Sequence, residues 1–207
     1  MRSRWTPITF PPPASVVERH LDEEESREVF WKATERLKYR TVKLEREQNF
    51  QESGNASWEA LIAGDYARSI ELIEQDRKSL EQQRKPFDDA EVPFYRVRVI
   101  QYPLSDYVKW ELAHFKLNVE EGETISIVDT ARIADIELDT SLKDFVLFDD
   151  FLMLSYDYTL DGLPLDTYLV TDTEYLREMS ELADELLARA WPFERHPHEP
   201  LIPLSEG

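Results

Sequence analysis

Near residue 92 the spacing of apolar positions along the chain changes from three or four residues to two. Upstream, "EEESREVFWKATERL" sets Val29, Phe30, Ala33 and Leu37 on one helical face. "WEALIAGDYARSIELIEQDRKSLEQQRK" does the same with Trp58, Leu61, Ile62, Tyr66, Ile70 and Ile73. Ser57 stands where an N-cap belongs, and Gly64-Asp65 predicts a break into two helices. The last turns, Asp76 to Lys85, are nearly all polar and are expected to project from the body. Between these helices "TVKLEREQNF" opens with strand character. Residues 1–13 end in "FPPP", an extended arm that cannot be helical.

Downstream the period is two. "FYRVRVIQY" (94–102) alternates Val97 and Val99 with Arg96 and Arg98, a strand. "LSDYVKWELAHFKLNV" (104–119) is an amphipathic helix with Leu104, Tyr107, Val108, Leu112 and Phe115 inward. "TISIVDT", "DFVLFDD", "FLMLSYDY" and "PLDTYLVTD" are further strands, and Asp161-Gly162 is a hairpin turn and nothing more. "TEYLREMSELADELLARAW" is a closing helix, capped by Thr173 and stopped by Pro192. The pattern predicts an α/β protein, with α+β as the alternative. A helical N-terminal region (14–90) precedes a β-α-β-β-β-α domain (93–195), with a boundary in "PFDDAEVP" and a flexible Pro-rich tail (196–207). The first two strands of that domain, joined by a helix, should be parallel neighbours.

Charge narrows the partners. Lys and Arg number 24 against 43 Asp and Glu, a net −19, and such a field repels phosphate backbones. Direct nucleic-acid binding is therefore disfavoured, and a basic protein or the basic face of a DNA-binding protein is the natural partner. The absence of cysteine excludes disulfides and thiolate chemistry and fits a cytoplasmic protein. No apolar run approaches the ~20 residues that span a bilayer, so no membrane partner is expected. Five glycines leave no room for a phosphate-cradling loop.

"YRVRVIQYPLSDYVKWELA", "NVEEGETISIV" and "DFVLFDDFLMLSYD", with "TVKLEREQNF" and "ALIAGDYARS" upstream and "LLARAWPF" downstream, carry a resemblance over residues 25–195. The chain resembles an actinobacterial family with a domain of unknown function, whose members are often encoded beside helix-turn-helix regulators. Val146 departs from it, where an aromatic residue is expected. The β-α-β unit, apolar strand and hairpin also resemble a phospholipase-D-like half-domain. Its catalytic members carry His-x-Lys-x4-Asp, and aligning Asp149 with that Asp puts Leu142 and Asp144 at the His and Lys positions. The resemblance implies a member without its catalytic groups. His114-x-Lys116-x4-Glu121 nearly spells the motif, but falls on a helix where residues two apart diverge by about 200°.

Two groups of residues are candidate sites. Asp144, Asp149, Asp150 and Asp157 would serve a metal-assisted or phosphodiesterase-like hydrolase; otherwise they are turn and strand-end acids. Arg96, Arg98, Tyr102, Tyr107, Trp110 and Glu111 would line a pocket for an anionic or planar ligand at the C-terminal end of the parallel strands. Otherwise the arginines pair with local acids. His196 and His198 are expected to be solvated, and no metal or cofactor is expected. The function expected is non-enzymatic: a binding or regulatory protein acting with a helix-turn-helix regulator and sensing a small ligand. The alternatives are the hydrolase and a homo-oligomer assembling through the face around Trp58.

Overall fold

The computed structural model describes residues 8–196. Its strands are β1 (Val17–Leu21), β2 (Thr41–Glu45), β3 (Phe94–Ile100), β4 (Thr124–Asp129), β5 (Asp144–Phe148), β6 (Leu152–Tyr158), β7 (Pro164–Val170) and β8 (Trp191–Pro192). Its helices are α1 (Glu23–Thr34), α2 (Ala56–Ile62), α3 (Tyr66–Gln75), α4 (Arg77–Asp89), α5 (Asp106–Glu120), α6 (Ala134–Thr140) and α7 (Thr173–Arg189). All eight strands form one mixed sheet, in the order β1-β7-β6-β5-β2-β3-β4-β8. The pairs β2–β3 and β3–β4 are parallel, the latter as expected for strands joined by a helix, and the remaining pairs are antiparallel.

The expected division into a helical half and an α/β half does not describe this sheet. β2, from within 14–90, lies between β5 and β3, and β1 from the same stretch forms an edge. The stretch 93–195 holds six strands, β3 to β8, where β-α-β-β-β-α has four: that order is one short of the five strand segments read from the sequence, and β8 adds a short antiparallel edge beside β4. The polar α4 does not project. Phe87 and Leu80 pack inward, and Arg77 bonds Glu120 at 2.9 Å and also pairs with Glu121, both at the end of α5. The described part of the Pro-rich arm, from Ile8 on, is also packed, with Ile8 and Phe10 buried and Phe10 stacked on Phe145.

Alternation along the strands sorts side chains between two faces. One face carries Val42, Leu44, Val97, Val99, Phe145 and Leu147, covered by Leu176, Met179, Leu182 and Leu186 of α7. The other is apolar only toward its flanks. Val146, Phe148 and Leu154 meet α1 and Phe87 on one side, while Ile100, Ile125 and Ile127 meet α5 and α3 on the other. The caps differ from expectation by one or two residues. Asn55, not Ser57, accepts the N–H groups that open α2, and Asp172, not Thr173, caps α7. Among the described residues no helix is long and apolar enough to cross a membrane.

Candidate functional site: a charged centre between two cavities

Between the apolar flanks, β2 and β3 present Lys43, Glu45, Arg96 and Arg98 to the same face. Register sets Lys43 beside Arg96 and Glu45 beside Arg98. Charges in mid-sheet require partners, because an uncompensated buried ion costs several kcal/mol. Arg98 is fully buried; its Nε donates to Glu111 Oε2 at 2.5 Å and its Nη1 to the Glu45 and Glu47 carbonyls. Arg96 donates to Glu123 at 2.6 Å and to Glu45 Oε1 at 2.7 Å. Lys43 Nζ reaches the same Glu45 oxygen at 2.6 Å. Glu45 thus receives two cations on Oε1, while its Oε2 has no partner; Arg98 Nη2 and Asn118 Oδ1 are likewise unpartnered.

The network sorts its carboxylates. Burial works against the Glu45 charge, but Arg96, Lys43 and Arg98 together hold it well below the usual carboxylate range. Burial outweighs Arg98 at Glu111, which is pushed up to about 7. Burial likewise lifts Asp144 to about 6, against the Arg46 and Glu47 N–H groups that its Oδ1 accepts at 2.7 and 3.0 Å.

Beside Glu45 opens a cavity of about 330 Å3, walled by the rings of Phe30, Phe50, Tyr107, Tyr156 and Tyr158. Its charged lining is Lys43, Glu45, Glu52 and Asp144. Phe50 lies 4.7 Å from Tyr158 and 5.1 Å from Tyr107, at interplanar angles of 77° and 66°, so these rings form corners and not a stack. Tyr107 donates its hydroxyl hydrogen to Glu52 Oε1 at 3.0 Å.

The loop after β2 delivers Phe50 and Glu52, and it is fastened along its length. Arg46 and Glu47 bond Asp144, Gln48 donates to the Val99 carbonyl, and Gln51 N–H donates to the Gly162 carbonyl at 3.1 Å. Gly162 is therefore more than a hairpin turn. At φ +80° it lets the β6–β7 tip approach this loop so closely that a Cβ would stand 2.4 Å from the Asn49 oxygen.

A second cavity, of about 550 Å3, lies on the other side of Lys43, which lines both. Its charges are largely satisfied internally, Arg84 by Asp88 and Arg96 by Glu123, each at 2.6 Å.

The structure divides the residues expected to share a pocket. Tyr107 lines the smaller cavity and Arg96 the larger, while Arg98 and Glu111 form the buried pair. Trp110 belongs to the helix packing: it lies 5.3 Å from Trp58 and donates to Ser57 Oγ at 3.2 Å. Tyr102 is 45% exposed, past the end of β3. Both arginines are already paired with glutamates, so they offer an anion no unneutralised charge.

The four aspartates do not converge. Asp144 opens β5 and Asp149 follows its last residue, about 16 Å apart along the strand at ~3.3 Å per residue. Asp149 accepts the N–H groups of Lys38, Tyr39 and Arg40 at 2.8–3.0 Å, Asp150 is exposed, and Asp157 pairs with Lys143 at 2.9 Å. Of the four, Asp144 lines the smaller cavity. His114 lies on α5 facing Ser57, and burial lowers its pKa to about 4. His196 is buried 3.4 Å from Asp129 and not solvated as expected, and His198 lies outside the described residues. Among the described residues no group of three or more His, Asp or Glu side chains is arranged to hold a metal ion.

Sequence reasoning missed Lys43, Glu45, Phe50, Glu52, Tyr156 and Tyr158. The one available signal was the alternation Lys43-Leu44-Glu45 in "TVKLE", which puts two charges on the face opposite Val42 and Leu44.

The family model described as a domain of unknown function (DUF6879) matches residues 28–197. No curated protein sequence matches the chain. Among solved structures the chain is similar to TrmBL2, an archaeal chromatin protein described as showing a novel mode of DNA binding, with a TM-score of 0.44 and 10% identity. That likeness covers 88% of this chain and 56% of the other, so this chain spans little more than half the length of the structure it matches. These comparisons lend no support to a phospholipase-D-like relationship or an actinobacterial source.

Proposed function

Because the chain belongs to the DUF6879 family, whose description assigns no activity, we propose a function from the site itself. The protein is a non-enzymatic binding protein that holds a small polar ligand in the Glu45 cavity and acts on a DNA-binding partner such as a helix-turn-helix regulator. One observation carries the ligand half: Glu45, 6% exposed, lines a ring-walled cavity of about 330 Å3 and carries a buried carboxylate oxygen, Oε2, without a partner. A bare buried acceptor costs about 1–3 kcal/mol, so a donor arriving there relieves a penalty already present.

The loop that carries Phe50 and Glu52 into the cavity leads directly into α2 and α3, where Ile62, Tyr66 and Ile70 are exposed. A ligand that holds this loop in one arrangement biases the surface beyond it, which is how occupancy reaches a partner. The net charge of −19 suits the basic face of a DNA-binding protein.

Thermal melting against a panel of small metabolites of both charge signs tests the ligand half. At least one compound should raise the Tm of the wild type in a dose-dependent way, and raise that of Phe50→Ala less. A panel that leaves the Tm unmoved sinks the reading. For the partner half, a helix-turn-helix protein should co-purify with the chain at low salt and be released at high salt; recovery of the chain alone counts against it.

A further inference from the structure

We infer that the Glu45 cavity selects a small organic cation carrying N–H donors, an alkylammonium or a guanidinium. The inference rests on the ligand-binding function proposed above and specifies the chemistry of what is bound. Three observations converge.

The charged lining holds three acids, Glu45, Glu52 and Asp144, and one cation, Lys43; Glu45 is already met by Lys43 and Arg96, so the excess negative charge rests on Glu52 and Asp144. Lys43 is already committed to Glu45 Oε1 at 2.6 Å, so an anion entering the cavity meets carboxylates without a free counter-charge. The unsatisfied group is an acceptor. Glu45 Oε2 has no partner although the residue is only 6% exposed, and a carboxylate oxygen is completed by an N–H or O–H donor.

The walls are aromatic and set at steep angles. Phe50 meets Tyr158 at 77° and Tyr107 at 66°, with centroids 4.7 and 5.1 Å apart. Five aromatic rings lining one cavity attract a cation through their quadrupoles, most strongly where water is excluded. Tyr156 and Phe30 complete this lining. Acids and rings together select positive charge; the bare Oε2 selects, among cations, one that can donate. A quaternary ammonium satisfies the rings and leaves that oxygen bare. At about 330 Å3 the cavity is at the small end of ligand sites, which suits a compact molecule.

The test is calorimetric titration of the full chain at pH 7.5 with agmatine, butylamine, choline, glutarate and butanol. Agmatine or butylamine should bind, choline should bind at least about tenfold more weakly, and glutarate and butanol should not bind. Glu45→Gln, which removes the charge from the hydrogen bond, should weaken the amine by about 10–100-fold. Because Glu45 also neutralises Lys43 and Arg96, that variant can fail to fold. Tyr158→Leu at the cavity wall is the second probe and should weaken the amine at least fivefold.

Amine binding that both variants leave unchanged is adsorption to the acidic surface and overturns the inference. Binding of glutarate or butanol in place of the amines, lost in Tyr158→Leu, overturns the cation inference and leaves the ligand-binding function standing. A panel in which nothing binds overturns the cation inference, and the ligand-binding function is then decided by the wider thermal-melting panel.

Discussion

Replacing Arg98 by Met removes the one fully buried cation of the charged centre while keeping most of its aliphatic volume. In the wild type the guanidinium satisfies Glu111 Oε2 at 2.5 Å and the carbonyls of Glu45 and Glu47 at 3.1 and 2.5 Å. The variant leaves the buried Glu111 carboxyl either protonated or ionised without a counter-ion, and bares the two carbonyls, a change that costs about 3–5 kcal/mol. The loss should depend on pH. Burial already pushes Glu111 up to about 7 from an ordinary 4.5, and the Arg98 charge is what restrains it. A carboxyl whose folded pKa is raised contributes stability that is complete below its unfolded pKa and lost as pH rises through the folded value. Without Arg98 the folded value climbs further, so the variant keeps its carboxyl protonated where the wild type has begun to ionise. The two curves run parallel below about pH 7 and separate above it. Each unit of further rise adds about 1.4 kcal/mol to the deficit.

Urea denaturation at pH 6 and pH 9 measures both effects. The deficit at pH 9 should exceed that at pH 6 by about 1.4 kcal/mol or more. Arg98→Met combined with Glu111→Leu should recover about 2 kcal/mol at pH 9, because no buried charge then remains unpaired. A deficit under about 1 kcal/mol, or one equal at the two pH values, would show that Glu111 does not depend on Arg98 for its charge.

Two further substitutions probe what positions the cavity. Gly162→Ala should destabilise the fold by about 1 kcal/mol more than Gly64→Ala in urea melts. Both glycines have φ above +80° or at it, but only at Gly162 would the new Cβ meet backbone, the Asn49 oxygen at 2.4 Å. Equal costs would mean that the loop carrying Phe50 does not depend on this close approach. Asp149→Ala should cost about 2–4 kcal/mol, because the N–H groups of Lys38, Tyr39 and Arg40 lose their acceptor and a residue with a Cβ and no side-chain acceptor is left at φ +46°. Asp149→Asn keeps the Oδ1 bonds and should cost about half as much; a loss under 0.5 kcal/mol for Asp149→Ala, about the size of an ordinary surface change, would return Asp149 to the status of an ordinary turn residue.

Most regular elements were legible in local sequence. The period of two in "FYRVRVI" and "TISIVD", and the period near 3.6 in "YVKWELAHF" and "YLREMSELADELL", follow from backbone geometry within a few residues and survive in β3, β4, α5 and α7. The break at Gly64-Asp65 is where α2 and α3 separate, since Asp65 accepts the Arg68 N–H to start a new helix. β1 was hidden because an edge strand exposed over "ERH" has little apolar alternation to display. β2 showed its strand character, but its central place was hidden because a strand bearing Lys43 and Glu45 does not look like the middle of a sheet.

The candidate site was legible only in halves. Alternation put Arg96 and Arg98 on one face, and the reading in which the arginines pair with acids was correct in kind. Which acids they meet was decided by tertiary structure: Glu111 lies 13 residues away, Glu123 27 and Glu45 51. The cavity likewise takes Glu45 from β2, Phe50 from the following loop, Tyr107 from α5 and Tyr158 from β6. Local periodicity tells which face a side chain takes, because that depends on the rotation from one residue to the next. Which ions pair, and which oxygen is left bare, depends on how strands distant in sequence are ordered in the sheet, and burial there turns each pairing into several kcal/mol.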